Sequence, residues 1–546
     1  MSLEGLVKPS KEDIERYVRN GSWLNITLGD MLDKAAKARP NEEALVDGRS
    51  RLTYAELAER IDRLSAGLAQ LGIRQGDCVL LQLPNWNEFV LSFFALQKIG
   101  APAILLLPRH RQVEINYFCG LTKAKVWMLP EHYRNADYLP IIGDVMKANP
   151  TLKRVITVRS KESRFTSFER LIGDEREHGA GAYGPTPLTN IDPNDVAFVI
   201  PTGGTTGLPK AVPRTHNDAV CEARYKATAR EQTDEDICMI SVPLEHNLGL
   251  AALNSTFASG GKVVLVDSTR AEDLCAAIQR ERVARAPLVP TLLSRLVEFE
   301  GLAKYDLSSL KALYVGGART PPDLIKTVHK KLGRVYVSAF GMSEGPTCTT
   351  RLSDGDDIVL SSIGKPCCQF DRFKVVDAAG KELPRITEGE LMAKGPGVFS
   401  GYLNYPEENR RSFSRDGFFR TGDLASIDDA GNIRITGRIK DIIIRGGENI
   451  SPVDIESLIR AHPDVEDVAV VGMPDKELGE RACAYVKPKR GKSPSLEEIV
   501  SFLQARGASV LQLPERVELT SRMPLTKVGK ADKKALQERI KRKLGL

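Results

Sequence analysis

Residues 201–210 read Pro-Thr-Gly-Gly-Thr-Thr-Gly-Leu-Pro-Lys. Gly203, Gly204 and Gly207 let the backbone approach a phosphate chain closely, Thr202, Thr205 and Thr206 add hydroxyl donors, and Lys210 adds a point charge. A Walker loop requires Gly-Lys-Ser/Thr, but Lys210 lies between Pro209 and Ala211, so a P-loop kinase or ATPase fits poorly. Gly316-Gly317-Ala318 follows an apolar run, where the carboxyl end of a strand opens a crevice suited to a planar base. In Phe340-Gly341-Met342-Ser343-Glu344 a single acid follows a glycine turn, an arrangement able to hold Mg²⁺ beside phosphate oxygens. Tyr402 and Arg420-Thr421-Gly422-Asp423 place a further acid after a turn, where its two oxygens can accept from vicinal hydroxyls. Gly437-Arg438-Ile439-Lys440-Asp441 and Arg445-Gly446-Gly447-Glu448-Asn449 join charge to glycine as a hinge does. Leu525-Thr526-Lys527-Val528-Gly529-Lys530 is a basic turn near the C-terminus. Each segment alone also suits a plain surface turn; their combination carries the argument.

The elements that must position these residues alternate between strand and helix. Thr53-Tyr54-Ala55-Glu56 has the form of a capping box, and Leu57, Ile61, Leu64, Leu68 and Leu71 recur at helical spacing up to Gly72. A strand over 78–83, a helix from about Glu88 and a strand over 102–107 follow, with further apolar runs at 125–129, 155–158, 197–200, 262–266 and 312–315. The pattern predicts an α/β fold with mostly parallel sheets. From about Ile363 the texture changes to short strands with Gly turns, predicting a small β subdomain over about 363–437. Residues 440–546 read as a separate α+β domain, with helices near 453–459 and 496–506 and strands near 465–471 and 482–486. Residues 1–439 then form the large N-terminal domain.

Composition narrows the function classes. At 546 residues, with 42% hydrophobic and 27% charged residues, the chain is globular and multi-domain. A net charge of +6 demands neither nucleic acid nor an anionic membrane, and the C-terminal lysines lack the interleaved aromatics of a single-strand binder. Nine cysteines, scattered and without metal-site spacing, fit inert reduced thiols in a cytoplasmic protein. Residues 1–20 lack a signal-peptide core and suggest a surface helix, and 89–108 are broken by Gly100 and Pro102, so no membrane span is expected.

In this order and spacing, the segments resemble the ANL superfamily of adenylate-forming enzymes over nearly the whole chain. Trp23 to Phe118, Thr202 to Gly207, Pro213-Arg214-Thr215-His216 and Phe340-Gly341-Met342 look like the 2,3-dihydroxybenzoate-AMP ligase branch, which activates aryl acids. The resemblance implies that Thr202 to Lys210 contacts the triphosphate of ATP, that Gly316, Gly317 and Ala318 border adenine, and that Phe340, Gly341, Met342 and Ser343 complete the nucleotide site. It further implies that Glu344 helps bind Mg²⁺, that Asp423 holds the ribose hydroxyls with Arg438 nearby, and that Lys440 is the hinge of a mobile C-terminal domain. Lys530 matches the lysine that bridges the acid and the α-phosphate, and Lys530, Thr202, Glu344 and His246 are the catalytic candidates. These residue types suit the reaction, since joining two anions needs a cation at their meeting point.

The acid pocket implied by the resemblance comprises His246, Asn247, Leu248, Ala252, Gly316, Ala339 and Gly341. The branch reads His-Asn-Tyr-Pro-Leu-Ser-Ser where this chain has His246-Asn247-Leu248-Gly249-Leu250-Ala251-Ala252, and Ala339 stands where a bulkier valine is common. A larger, more apolar pocket is expected, for a cyclic acid without the 2,3-diol such as benzoate or cyclohexanecarboxylate. Ile442 to Pro452 resembles the loop of acyl-CoA ligases, which makes coenzyme A the first expected thiol, with Gly446, Gly447 and Glu448 flanking the pantetheine path. Loading of an aryl carrier protein is the alternative, and a non-catalytic acyl-adenylate-binding regulator is the alternative of another class. The sequence leaves monomer and homodimer open.

Overall fold

The structure is a computed structural model that describes residues 3–161, 164–173, 190–202, 209–445, 448–506, 508, 510–526 and 530–546. Two large sheets face each other across helices. The first has seven strands, ordered Ala211–Thr215, Val196–Pro201, Ala103–Leu105, Val79–Leu81, Val126–Pro130, Arg154–Val158 and Thr166–Ser167, all parallel except Ala211–Thr215. The second has nine strands, with a parallel centre running from Tyr336–Gly341 through Ala312–Gly316, Arg285–Leu288, Ile237–Ile240 and Lys262–Leu265 to Glu43–Val46.

The apolar runs are continuous because both faces of these strands are covered. Val79, Leu81, Ala103 and Leu105 point into the core shared with the second sheet, whereas Leu80, Ile104, Trp127 and Leu129 pack into a separate cluster on the opposite face. Each fully buried Leu, Ile or Val stabilises the fold by about 1.5–3 kcal/mol relative to exposure. Helices Tyr54–Gln70 and Asn87–Lys98 fill the shared core, the first opened by the expected Thr53/Glu56 capping box. The strand expected over 78–83 is shorter, Val79–Leu81. Beyond it the buried Gln82 amide donates to the carbonyls of Leu107 and His110, and Pro84 ends the run.

The β subdomain is a four-stranded antiparallel sheet ordered Arg372–Val376, Gly389–Lys394, Phe419–Ile427 and Ile433–Arg438. Lys365–Pro366, inside the expected subdomain limits, instead pairs with Thr347–Thr349 at the edge of the nine-stranded sheet. A single 3-10 turn, Ile439–Asp441, leads from this sheet to the small C-terminal domain. Its core is the long antiparallel pair Val465–Asp475 and Gly479–Pro488, covered by Pro452–Arg460 and Leu496–Ala505 on one side and Lys533–Lys543 on the other. No described helix is long and apolar enough to cross a membrane. All nine cysteines are free and buried, and burial pushes Cys78 up to about 12 and Cys238 to about 11.

Candidate active site

Strand Val196–Pro201 delivers Thr202 to the carboxyl end of the first sheet. Thr202 N donates to Lys210 O at 2.8 Å and Lys210 N donates to Thr202 Oγ1 at 3.1 Å, so the two residues close the base of the glycine loop. Gly203, Gly204, Thr205, Thr206 and Gly207 lie outside the described residues, as do Gly446 and Gly447. Lys210 Nζ pairs with Glu408 at 2.6 Å and sits 4.2 Å from the centroid of the Tyr402 ring. Tyr402 Oη in turn donates to Glu344 Oε1 at 2.7 Å. Among the described residues no ion pair to Glu344 is present, and the hydrogen bond from Tyr402 falls on one of its two oxygens, Oε1. One carboxylate beside phosphate oxygens is the donor set Mg²⁺ commonly accepts, so these residues fit the ion.

At the nucleoside end, Gly316 stands opposite Ala339 in the parallel register of the second sheet. A Cβ at Gly316 would lie 2.4 Å from the Ala339 carbonyl oxygen, so only glycine permits this approach. Asp423 and Arg438 face each other on neighbouring strands, Arg438 Nε lying 2.8 Å from Asp423 Oδ1. The other oxygen, Oδ2, is buried and has no partner among the described residues. A buried acceptor left open in this way is suited to a ligand hydroxyl. Burial pushes the Asp423 carboxyl up, against the pull of Arg438 and Lys530.

Lys530 reaches the same place from the C-terminal domain. Its turn is fixed locally, Thr526 N donating to Lys530 O at 2.6 Å and Lys530 N to Thr526 Oγ1 at 3.2 Å. The residue is exposed, yet protein atoms crowd around its ammonium group. This crowding, with the positive charges of Arg438 and Lys440 outweighing Asp423, brings its pKa down to about 8. His246 is brought down to about 4, first by burial and then by Lys530 and Arg109. Lys530, Asp423, Arg438, Lys440 and His246 therefore share one electrostatic neighbourhood. Between the domains, Arg319, directly after Gly316-Gly317-Ala318, pairs with Asp454 at 2.9 Å, and Ser451 Oγ donates to Thr436 O at 2.6 Å.

The expected acid-pocket residues line the start of helix Asn247–Ser259 and the strand end opposite. His246 is the N-cap, its Nδ1 accepting from Leu248 N at 3.5 Å. Ala252 and Ala339 are buried and Leu248 is half-buried. Asn247 has a structural task, its Nδ2 donating to Met342 O at 2.9 Å and so fastening the Phe-Gly-Met turn. A small cavity borders Asn247, Leu250, Ala251, Phe198 and Glu222.

One supporting network was not anticipated. Arg214 is completely buried, pairs with Asp218 at 2.6 Å and Glu222 at 3.0 Å, and donates to the carbonyls of Ser343 and Gly397, both at 3.2 Å. Lys226 closes the series on Glu222. Arg214 comes from strand Ala211–Thr215, whereas Asp218, Glu222 and Lys226 follow at four-residue spacing on one face of helix His216–Ala229. Through it the turn carrying Ser343 and Glu344 is tied to helix His216–Ala229.

Residues 32–403 match the family model for AMP-binding enzyme, and residues 454–530 match that for AMP-binding enzyme C-terminal domain. The chain is an AMP-binding enzyme of the adenylate-forming ANL superfamily. This enzyme is 36% identical to a 2,3-dihydroxybenzoate-AMP ligase of Bacillus subtilis over 99% of both chains. It is 35% identical to a salicyl-AMP ligase / salicyl-S-ArCP synthetase of Mycobacterium tuberculosis over 98% of this chain and 95% of that one. It is also 33% identical to a salicylyl-CoA synthase / salicylate adenylyltransferase of a Streptomyces species, over 100% of this chain and 99% of the other. Among solved structures, the Mycobacterium smegmatis MbtA apo structure aligns with a TM-score of 0.75 at 34% identity, covering 98% of this chain and 99% of that one. ATP-bound MatB from Rhodopseudomonas palustris aligns at 0.85 with 25% identity, covering 95% and 99%. ATP is thus the nucleotide this family and fold support, with a small-molecule acid as its partner in the reaction.

Proposed function

We propose that this enzyme activates a cyclic carboxylic acid as its acyl-adenylate, releasing pyrophosphate, and then passes the acyl group to the thiol of a phosphopantetheine arm on a carrier protein. The observation that carries the first half is the meeting of Lys530 with Asp423, Arg438 and His246 across the two domains. In this reading Asp423 Oδ2 takes the ribose hydroxyls, Gly316 to Ala318 border adenine, and Thr202 and Lys210 hold the phosphates. Lys530, mostly protonated at neutral pH, neutralises the carboxylate as it approaches the α-phosphorus and the charge that builds there. His246, neutral above pH 5, borders the acid without adding charge. Glu344 would hold Mg²⁺, which when bound would supply charge neutralisation for the pyrophosphate. Turning of residues 440–546 about Lys440 then withdraws Lys530 and admits the thiol.

The acceptor is weighed differently from the sequence alone. The loop around Arg445 pointed to coenzyme A, whereas an aryl-AMP ligase and a salicyl-S-ArCP synthetase match this chain over nearly its full length. Coenzyme A stays as the second reading, favoured by that loop and by the likeness to a salicylyl-CoA synthase. Leu248, Ala252 and Ala339 support a ring acid lacking the 2,3-diol. The test is mass spectrometry of thioester products after incubation with ATP, Mg²⁺ and benzoate, salicylate, 2,3-dihydroxybenzoate or cyclohexanecarboxylate, with either a phosphopantetheinylated aryl carrier protein or CoA. Acyl carrier protein as the faster product supports the main reading, and CoA thioester alone replaces it with the second. A best kcat/KM for 2,3-dihydroxybenzoate would overturn the pocket assignment.

A further inference from the structure

Tyr402 has no place in the mechanism above, yet its surroundings are built with care. Reciprocal hydrogen bonds of 2.8 Å join Tyr402 N to Asn409 Oδ1 and Asn409 Nδ2 to Tyr402 O. Leu403 N donates to Ala211 O at 3.0 Å, tying this segment to the strand that leaves the glycine loop. The ring is buried and packs edge-on against Phe399 at 4.8 Å between centroids. Phe399 N also donates to the backbone carbonyl of Glu344 at 2.8 Å, so the two segments are held together at the main chain as well. With the ring immobilised, its hydroxyl bonds one oxygen of Glu344 and its face receives the ammonium of Lys210.

We propose that Tyr402 is a positioning residue for the phosphate end of the site: through its hydroxyl it turns the Glu344 carboxylate toward the metal position, and through its face it seats Lys210. The proposal rests on the assignment of Glu344 to Mg²⁺. The phenol spends its proton on Oε1, so Oε2 stays available to the ion, and the carboxylate is denied the alternative of folding onto Lys210. The ammonium held over the ring donates to Glu408 at 2.6 Å, and no ion pair joins it to Glu344 among the described residues.

The test reads metal binding directly. Mn²⁺ as a probe is titrated into the full-length enzyme saturated with a non-hydrolysable ATP analogue, and free Mn²⁺ is followed by electron paramagnetic resonance. Tyr402→Phe keeps the ring beneath Lys210 and removes only the hydroxyl; it should weaken Mn²⁺ about tenfold, the loss of one hydrogen bond to a charged group. Nucleotide affinity measured without metal and the melting temperature should stay at wild-type values. Glu344→Gln should weaken Mn²⁺ further, and adding Tyr402→Phe to it should cost nothing more, because the hydroxyl acts through that carboxylate. Wild-type Mn²⁺ affinity in Tyr402→Phe beside a weakened Glu344→Gln overturns the positioning role alone. Full affinity in Glu344→Gln overturns the metal assignment and the proposal with it. Additive losses in the double variant, or a fall in melting temperature that matches the loss of binding, reduce Tyr402 to a packing residue and also overturn it.

Discussion

The depressed pKa of Lys530 makes the pH profile of the first half-reaction a sharp test of its role. Its ordinary value is 10.5, and crowding together with Arg438 and Lys440 brings it to about 8. About nine-tenths of the side chains then carry the charge at pH 7 and about one-tenth at pH 9. If the ammonium is the working form, acid-dependent ATP–pyrophosphate exchange should be level up to pH 7 and about tenfold lower at pH 9. Lys530→Arg replaces the amine by a group charged throughout this range, so the alkaline limb should vanish below pH 10 whatever the absolute rate. Arg438→Met removes a positive neighbour and releases Asp423, and both changes raise the Lys530 pKa and move the limb upward. The stability linkage has the opposite sign. Because the pKa falls on folding, the unfolded chain binds more protons between about pH 8 and 10.5, so the seated lysine grows more favourable as pH rises through that window. A wild-type profile flat to pH 10, a rate that climbs through pH 8, or a limb near 8 that persists in Lys530→Arg would refute the reasoning.

Three further outcomes are expected. Lys530→Ala should slow acyl-adenylate formation by about a hundredfold to a thousandfold while leaving thioester formation from supplied acyl-adenylate intact, measured by rapid quench; equal losses would contradict the two-conformation scheme. Asp423→Asn should raise KM for ATP by roughly ten- to a hundredfold with little change in KM for the acid, because it loses the charged acceptor that Oδ2 presents. Arg214→Met should destabilise the large domain by about 3–5 kcal/mol, leaving Asp218 buried without its partner; a denaturation midpoint equal to wild type would show that the ladder is dispensable.

The sequence carried the strand–helix alternation because strands buried on both faces leave continuous apolar runs, and those of 79–81, 103–105 and 126–130 stand out against the helical spacing of 57, 61, 64 and 68. Residue types also single out Thr202, Lys210, Glu344 and Asp423 as candidates, because the chemistry they offer is local to a turn. Two features were hidden for physical reasons. The low pKa of Lys530 comes first from crowding by surrounding protein and then from Arg438 and Lys440, and these arise only once the C-terminal domain has packed against the rest. The Asn247 amide is engaged by the Met342 carbonyl, a pairing between segments 95 residues apart that local pattern does not show. The Arg214 network joins a residue of strand Ala211–Thr215 to Asp218 and Glu222 on the helix that follows, so it depends on the turn between the two elements and not on a single helix face.

The central claim, that this chain joins a ring carboxylic acid to AMP, is tested most directly by ATP–pyrophosphate exchange across benzoate, hydroxybenzoates, cyclohexanecarboxylate and fatty acids, with the adenylate itself identified by mass spectrometry. The account predicts exchange that depends on the acid, is greatest for a ring acid and is nearly lost in Lys530→Ala. Absence of exchange and of adenylate with every acid would contradict it; exchange confined to fatty acids would keep the chemistry and reject the pocket.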